Sequence, residues 1–489
     1  MAGPSQSEKL QFSAADRSFS MQEGFARLFR NIILVVLLGA LSWAVCTSLK
    51  LAIVHTSEYI FGQFNAAESG HHRPVHDYAL LEAHTAVTTE IAEPTAGSEH
   101  AVASLLIIIL FGGLMRGILI RNKSWYHSEG DGATQTIQYF LESYALGEAP
   151  GVVAEHRYKK STLVHAAKRY IMTFLTLGCG GSGGLEGPVI PIGECMGAWL
   201  AKTFHIRETD DLRAFQMAGI AAAVCTLLNA PFASAIFAAE VVYSERIVYR
   251  TLLYSIFSVL VAFKLNTFFM GQGKLFVVPY HAPSYDMIEY LYVVLVAIFC
   301  SGPVGVGLSR TFAFFKGHFT YVPVMLRSPL GALCTAGIAL SLWFWLGIEP
   351  QHVLGMGEET IADLLYGTGN PQLQVWWVLA LVIVAKTLAT GFTLMTGGSA
   401  GLLIPAMVLG GCMGAVLHGL MVTYIAGFHT GIALFVISGI GSALVSIIET
   451  PISAILLIIS IFGDTYAAPA MLSVAICHLL VKNLKLYMR

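Results

Sequence analysis

The sequence predicts an all-α polytopic membrane protein, built as an inverted-topology repeat with many tilted and broken helices. Three observations carry that prediction: a composition unusable on a soluble surface, apolar segments punctuated by Gly, Ser and Pro, and a motif set that occurs twice. The 489 residues hold 28 Lys and Arg and 30 Asp and Glu against 55% hydrophobic residues, and mean hydropathy is +0.68. The 12% charged fraction is about half that of soluble domains, whereas a lipid-facing surface needs almost no charge. A net charge of −2 offers no footprint for nucleic acid. The eight cysteines lie in apolar stretches without a CxxC pair and read as core residues, so neither disulfide, metal nor cofactor is indicated.

Residues 1–30 are polar and read as a cytoplasmic segment ending in Arg27 and Arg30. Residues 31–489 are expected to form one transmembrane domain with no soluble C-terminal domain. The first apolar stretch, 31–54, is long enough to span and too far from the terminus for a cleaved signal. Residues 55–100 carry seven acids, one Arg and six His and are expected to form an external loop. His71, His72 and His76 read as exposed loop residues rather than metal ligands. A second span over 101–120 is followed by Arg121 and Lys123, and positive-inside counting places the N-terminus and 121–130 in the cytoplasm. The setting is an integral membrane, expected to be the plasma (inner) membrane.

From 160 onward the apolar segments are 163–178, 188–204, 214–228, 231–243, 251–269, 288–315, 329–347, 374–392, 402–427, 429–448, 451–463 and 467–482. Several are too short to cross a bilayer of about 30 Å at about 1.5 Å per residue. Broken helices at membrane depth persist only where protein buries them or where they line a watery cavity, which points to a permeation pathway.

The repeat is exact in places. Gly180-Gly181-Ser182, Pro188 and Cys195-Met196-Gly197-Ala198 recur at Gly397-Gly398-Ser399, Pro405 and Cys412-Met413-Gly414-Ala415, all at an offset of 217. Gly219-Ile220 and Pro231 recur at Gly439-Ile440 and Pro451, and Gly130-x-Gly132 is echoed by Gly355-x-Gly357. The halves are 101–270 and 325–482. The first Gly-x-Gly follows a basic loop, while the second lies in 348–373, which has four acids and neither Lys nor Arg. Copies on opposite sides imply inversion, with a site between them at mid-membrane.

Gly178 to Gly193 reads GCGGSGGLEGPVIPIG. Glycines open a turn, Ser182 is placed to cap, and Pro188 falls in the first turn of the next helix. A helix N-terminus inside the membrane carries about half a positive charge and holds an anion without a full counter-ion. The second copy, ending at Pro405, aims another N-terminus at the same place. Glu186 stands in the first copy. A carboxylate at the bilayer centre costs about 2.5–3.5 kcal/mol, so it marks function: a gate, a proton carrier, or both. Glu194, Glu240, Glu449 and Asp464 read as structural capping or pairing acids.

Gly184-Leu185-Glu186-Gly187-Pro188 resembles the GxEGP motif of the CLC family of chloride channels and proton/chloride exchangers. Asn229-Ala230-Pro231 with Glu240 resembles its NAP segment, Gly401-Leu402-Leu403-Ile404-Pro405 its GxFxP, and Tyr487 its pore tyrosine. Asp131-Gly132 stands where the family has a serine and glycine. The resemblance implies Glu186 as gating and proton residue. It implies anion contacts from Asp131, Gly132, Gly184, Leu185, Gly187, Leu402, Leu403, Ile404 and Tyr487, and a homodimer with one pore per subunit. It looks like a divergent prokaryotic-type member without CBS domains. Val241, next to Glu240, occupies the position where exchangers carry an internal glutamate. Asp131 replaces a hydroxyl residue, and the expectation is that its N–H serves while the side chain turns away. Leu403 replaces the motif's phenylalanine.

The expected function is transmembrane chloride (anion) transport gated by Glu186, passive and channel-like because Val241 has no titratable group. Proton-coupled chloride antiport is the alternative. A fluoride/proton exchanger and an intramembrane serine protease (Ser182 in GxSxG with His418 or His478) are further readings.

Overall fold

The computed structural model describes residues 6–68, 97–137, 162–206, 208–243, 248–271, 276, 278, 285–319, 321–367 and 370–484, and the described residues form helices and turns without a strand. The helices are α1 (Gln6–Glu68), α2 (Gly97–Arg121), α3 (Thr162–Thr173, continuing through a π turn to Gly178), α4 (Glu186–Thr203), α5 (Thr209–Leu228), α6 (Pro231–Tyr243), α7 (Tyr249–Met270) and α8 (Met287–Phe299). They continue as α9 (Gly307–Phe319), α10 (Val324–Leu346), α11 (Glu358–Tyr366), α12 (Trp376–Met395), α13 (Leu403–Tyr424), α14 (Ile432–Ile448), α15 (Pro451–Phe462) and α16 (Ala467–Leu484). Among the described residues, nine segments are long and apolar enough to cross a membrane. The short apolar helices include Pro231–Val242, Ile432–Ile448 and Pro451–Phe462, close to where the sequence places them.

Three boundaries differ from expectation. The first span continues to Glu68, because Ile53, Ile60, Phe61 and Phe64 recur on one face and are buried. Residues 55–68 are therefore helix rather than loop, and His71, His72 and His76 lie outside the described residues. The 288–315 stretch is interrupted by a π turn over Cys300–Val306, where Pro303 lacks an N–H. In the acidic segment after α10, Glu358–Tyr366 is a helix whose Ile361, Leu364 and Leu365 are buried; its nine residues are too few for the apolar-segment pattern to reveal.

The repeat reappears atom by atom. Thr176 Oγ1 accepts from Ser399 N at 2.9 Å, and its equivalent Thr393 Oγ1 accepts from Ser182 N at 3.0 Å. Thr173 and Ser399 hydroxyls pair at 2.8 Å, and Thr390 and Ser182 hydroxyls at 3.1 Å. Gly130 N donates to Gly398 O, and Gly355 N to Gly181 O. At the centre Gly184 and Gly401 exchange both backbone hydrogen bonds, at 2.8 and 2.6 Å. Each is the other's repeat partner, so this pair lies on the pseudo-two-fold axis. Asn229 and Glu449 end α5 and α14 at equivalent positions, both in the left-handed region and both two residues before a proline. Packing repeats too: α4 crosses α5 where Gly193 meets Gly219 O, and α13 crosses α14 where Gly410 meets Gly439 O. A side chain at any of these four glycines would strike backbone, so small residues set the close crossings.

Candidate functional site

Both copies of the glycine motif end in a helix start. Leu185 is the N-cap of α4 and Leu402 that of α13, and neither makes a side-chain cap. Proline stands third in each helix (Pro188, Pro405), leaving N–H groups only on Glu186 and Gly187 in α4 and on Leu403 and Ile404 in α13 within those first three positions. The chain places these two helix starts side by side: Gly187 abuts Gly401, and Ile404 N lies beside Gly184. The Glu186 side chain is buried (2% exposed) where they meet. Its carboxyl interacts with its own N–H and with that of Ile404, one from each helix, while Oε2 has no hydrogen-bond partner. The paired helix ends already hold a carboxyl group, and it belongs to the protein.

Two expectations about the first motif need correction. The Gly184 N–H does not face an anion, because Gly401 O takes it. Ser182 does not cap α4: its hydroxyl donates to Val353 O at 2.8 Å and pairs with Thr390, while His418 bonds Thr430 O. The serine hydroxyl is a strut between repeat halves.

Asp131 precedes a helical turn at 132–137. Its Oδ2 accepts from Thr134 N at 3.2 Å and from Thr134 Oγ1 at 2.9 Å, an N-cap arrangement. Oδ1 lies over the bare Cα of Gly187, so the side chain is not turned away from α4. Gly132 is buried against Gly187 O and the Arg169 guanidinium, a fit that leaves no room for a side chain.

Arg169 is one of the buried cations, with Arg116 and Lys386, that the apolar-segment reading missed. It is 2% exposed and donates to Glu129 O at 3.0 Å and Gly130 O at 2.7 Å, with the Asp131 carboxylate close enough to interact. Lys386 stands at the 217-residue offset, fully buried, and its ammonium donates to Val353, Leu354 and Gly355 carbonyls at 3.0 to 3.3 Å. Arg169 and Lys386 thus each hold the chain leading into a Gly-x-Gly. The signal was available: both are charges inside apolar segments, and both obey the repeat.

Glu240 is buried near the end of α6 and caps another helix. Its Oε1 accepts from Ile452 N at 2.9 Å, and Oε2 from Ser453 N at 2.7 Å and Ser453 Oγ at 2.5 Å. Pro451 opens α15 without an N–H, so Glu240 takes the first two available. Val241 is buried in the apolar core at 6% exposure. Glu194 accepts from Gln216 at 2.9 Å. Tyr487 lies outside the described residues.

A sequence profile described as voltage gated chloride channel matches residues 112–482. A putative chloride channel protein ClcB-like from Ralstonia nicotianae is 25% identical over 361 residues, covering 72% of this chain and 76% of the relative. An H(+)/Cl(−) exchange transporter ClcA from Cronobacter sakazakii is 27% identical over 305 residues, 60% of either chain. The fold matches a slow cyanobacterial Cl−/H+ antiporter with a TM-score of 0.71 at 16% identity, covering 93% of this chain and 95% of that one. It also matches a CLC-type fluoride/proton antiporter with a TM-score of 0.70 at 17% identity, covering 93% and 96%.

Proposed function

The chain belongs to the voltage-gated chloride channel family, and from that premise we propose that it forms a chloride pathway gated by Glu186, passive rather than proton-coupled. It is a multi-pass integral membrane protein of an anion-transporting family, whose members are channels and transporters rather than enzymes. The observation that carries the proposal is the Glu186 carboxyl lodged against the N–H groups of Glu186 and Ile404. Chloride entering the same paired N-termini must displace that carboxylate, or wait until protonation removes its charge. In this reading Leu403, Ile404 and Gly187 offer N–H groups, and Asp131, Gly132, Leu185 and Leu402 shape the wall. The functional unit is a homodimer in the plasma membrane with its N-terminus in the cytoplasm, a placement supported by Arg27, Arg30, Arg121 and Lys123 flanking the first two spans.

Passive permeation is favoured because the two residues at the inner proton position are spoken for: Glu240 is bound by α15, and Val241 cannot titrate. Coupled exchange is the second reading, favoured by relatives and structural neighbours named as exchangers and antiporters. Reversal potential in a bilayer with equal chloride and unequal pH separates them. The passive pathway reverses at zero. A displacement set by the proton gradient would refute passivity and leave the gate intact.

A further inference from the structure

We propose that Glu349, His352, Glu359 and Asp363, between spans α10 and α12, form a proton-holding cluster that tunes anion entry past Glu186. The proposal rests on the reading of Glu186 as the gate. His352 is fully buried, and its Nδ1 pairs with Thr360 Oγ1 at 3.1 Å. Its Nε2 has no hydrogen-bond partner, yet it faces Glu349 Oε2 at 3.9 Å and Asp363 Oδ2 at 3.7 Å. Those gaps exceed a direct hydrogen bond and suit a bridging water. Glu359 Oε2 is a second buried atom without a hydrogen-bond partner in the same segment. A protonated carboxyl tolerates such a place far better than a carboxylate does.

The surrounding charges agree. Burial, then repulsion from Glu349, Asp363, Glu358 and Glu58 of α1, pushes Glu359 up to about 8. Burial, with Lys386 of α12 adding to it, holds His352 down at about 4. At neutral pH the cluster's proton therefore sits on Glu359, and His352 stays uncharged. Glu358, the residue before Glu359, interacts electrostatically with the Glu186 carboxyl. The link is also mechanical: Gly355 pairs with Gly181 and Gly183, in the turn that delivers Glu186. Above about pH 8 Glu359 ionises, and the approach to the gate gains one negative charge. Chloride entry falls.

The test measures chloride efflux from liposomes holding the full chain, with pH raised from about 6 to about 9.5, so that the range brackets the Glu359 transition. The background is Glu186→Gln, in which the gate carboxyl no longer titrates. Flux should fall about two- to fivefold through the transition, the effect of one screened charge, and adding Glu359→Gln should abolish the fall. Asp363→Asn removes a repelling neighbour and should move the midpoint to lower pH; it serves if the first variant does not fold. Infrared difference spectra of the otherwise native chain should show a protonated-carboxyl band that disappears through the same transition and is missing in Glu359→Gln. Coincident flux profiles with and without Glu359, or an infrared band unaffected by its removal, would overturn the proposal. Failure of Glu186→Gln to open the pathway would fall on the gate reading, and the infrared band would still decide whether the cluster holds a proton.

Discussion

Glu240→Gln separates a helix cap from a proton station. The carboxylate receives three hydrogen bonds, from Ile452 N, Ser453 N and Ser453 Oγ. The 12-residue α15 has Thr450 as N-cap without a side-chain cap of its own. A lost cap costs about 1 kcal/mol and up to about 2 where the site is buried, and the charge–dipole interaction adds up to about 2. Glu240→Ala should therefore cost about 2–4 kcal/mol. Glu240→Gln keeps one acceptor oxygen and should cost about 1–2 kcal/mol. The assay is thermal inactivation in detergent, where unfolding is irreversible and the readout is a rate. With about 1.4 kcal/mol per tenfold, Glu240→Gln should shorten the half-life about five- to thirtyfold if the cap breaks before the barrier. Reconstituted protein that survives should transport with an unchanged reversal potential. An unchanged half-life joined to an altered reversal potential would refute the cap and return Glu240 to the proton path.

Glu186→Gln should raise chloride flux and remove its stimulation by acid, as measured by efflux across a pH series; correctly folded protein that transports nothing would make the residue structural. Asp131→Ser keeps a good N-cap but deletes a charge over Gly187, so thermal stability should hold while the chloride concentration for half-maximal flux falls about two- to fivefold. No change in that concentration would mean that Arg169 already neutralises Asp131. Lys386→Met strips the donor from three carbonyls and should cut flux about tenfold or more, with Lys386→Arg keeping most of it. Equal losses in both would reduce Lys386 to a matter of shape.

Local signals made much of this molecule legible in its sequence. The offset of 217 identified the two helix starts, and their prolines and glycines said why those starts would be short of partners. What escaped depended on contacts far apart in the chain. Nothing near Glu240 announces that its donors are Ile452 and Ser453, more than 200 positions away. Gly184 looked like an anion donor because only the fold brings Gly401 O to its N–H. Arg169 and Lys386 were hidden by their setting: single charges in apolar segments dilute away in a window, and their role rests on carbonyls of other segments.

The mutual pair of Gly184 and Gly401 also bears on how a two-fold design acquires direction. Because the two positions are equivalent, two half-length chains meeting around this axis would form the same pair as an isologous contact, with both helix ends alike. Such an ancestor would have had no preferred side. In the present chain the equivalence fails at many positions, among them three at the site: Glu186 is matched by Leu403, Asp131 by Met356, and Arg169 by Lys386. One terminus supplies the carboxyl that both share, and the other supplies none. Polarity here resides in those mismatches, so exchanging Glu186 and Leu403 would be expected to turn the molecule around functionally while leaving its architecture where it is.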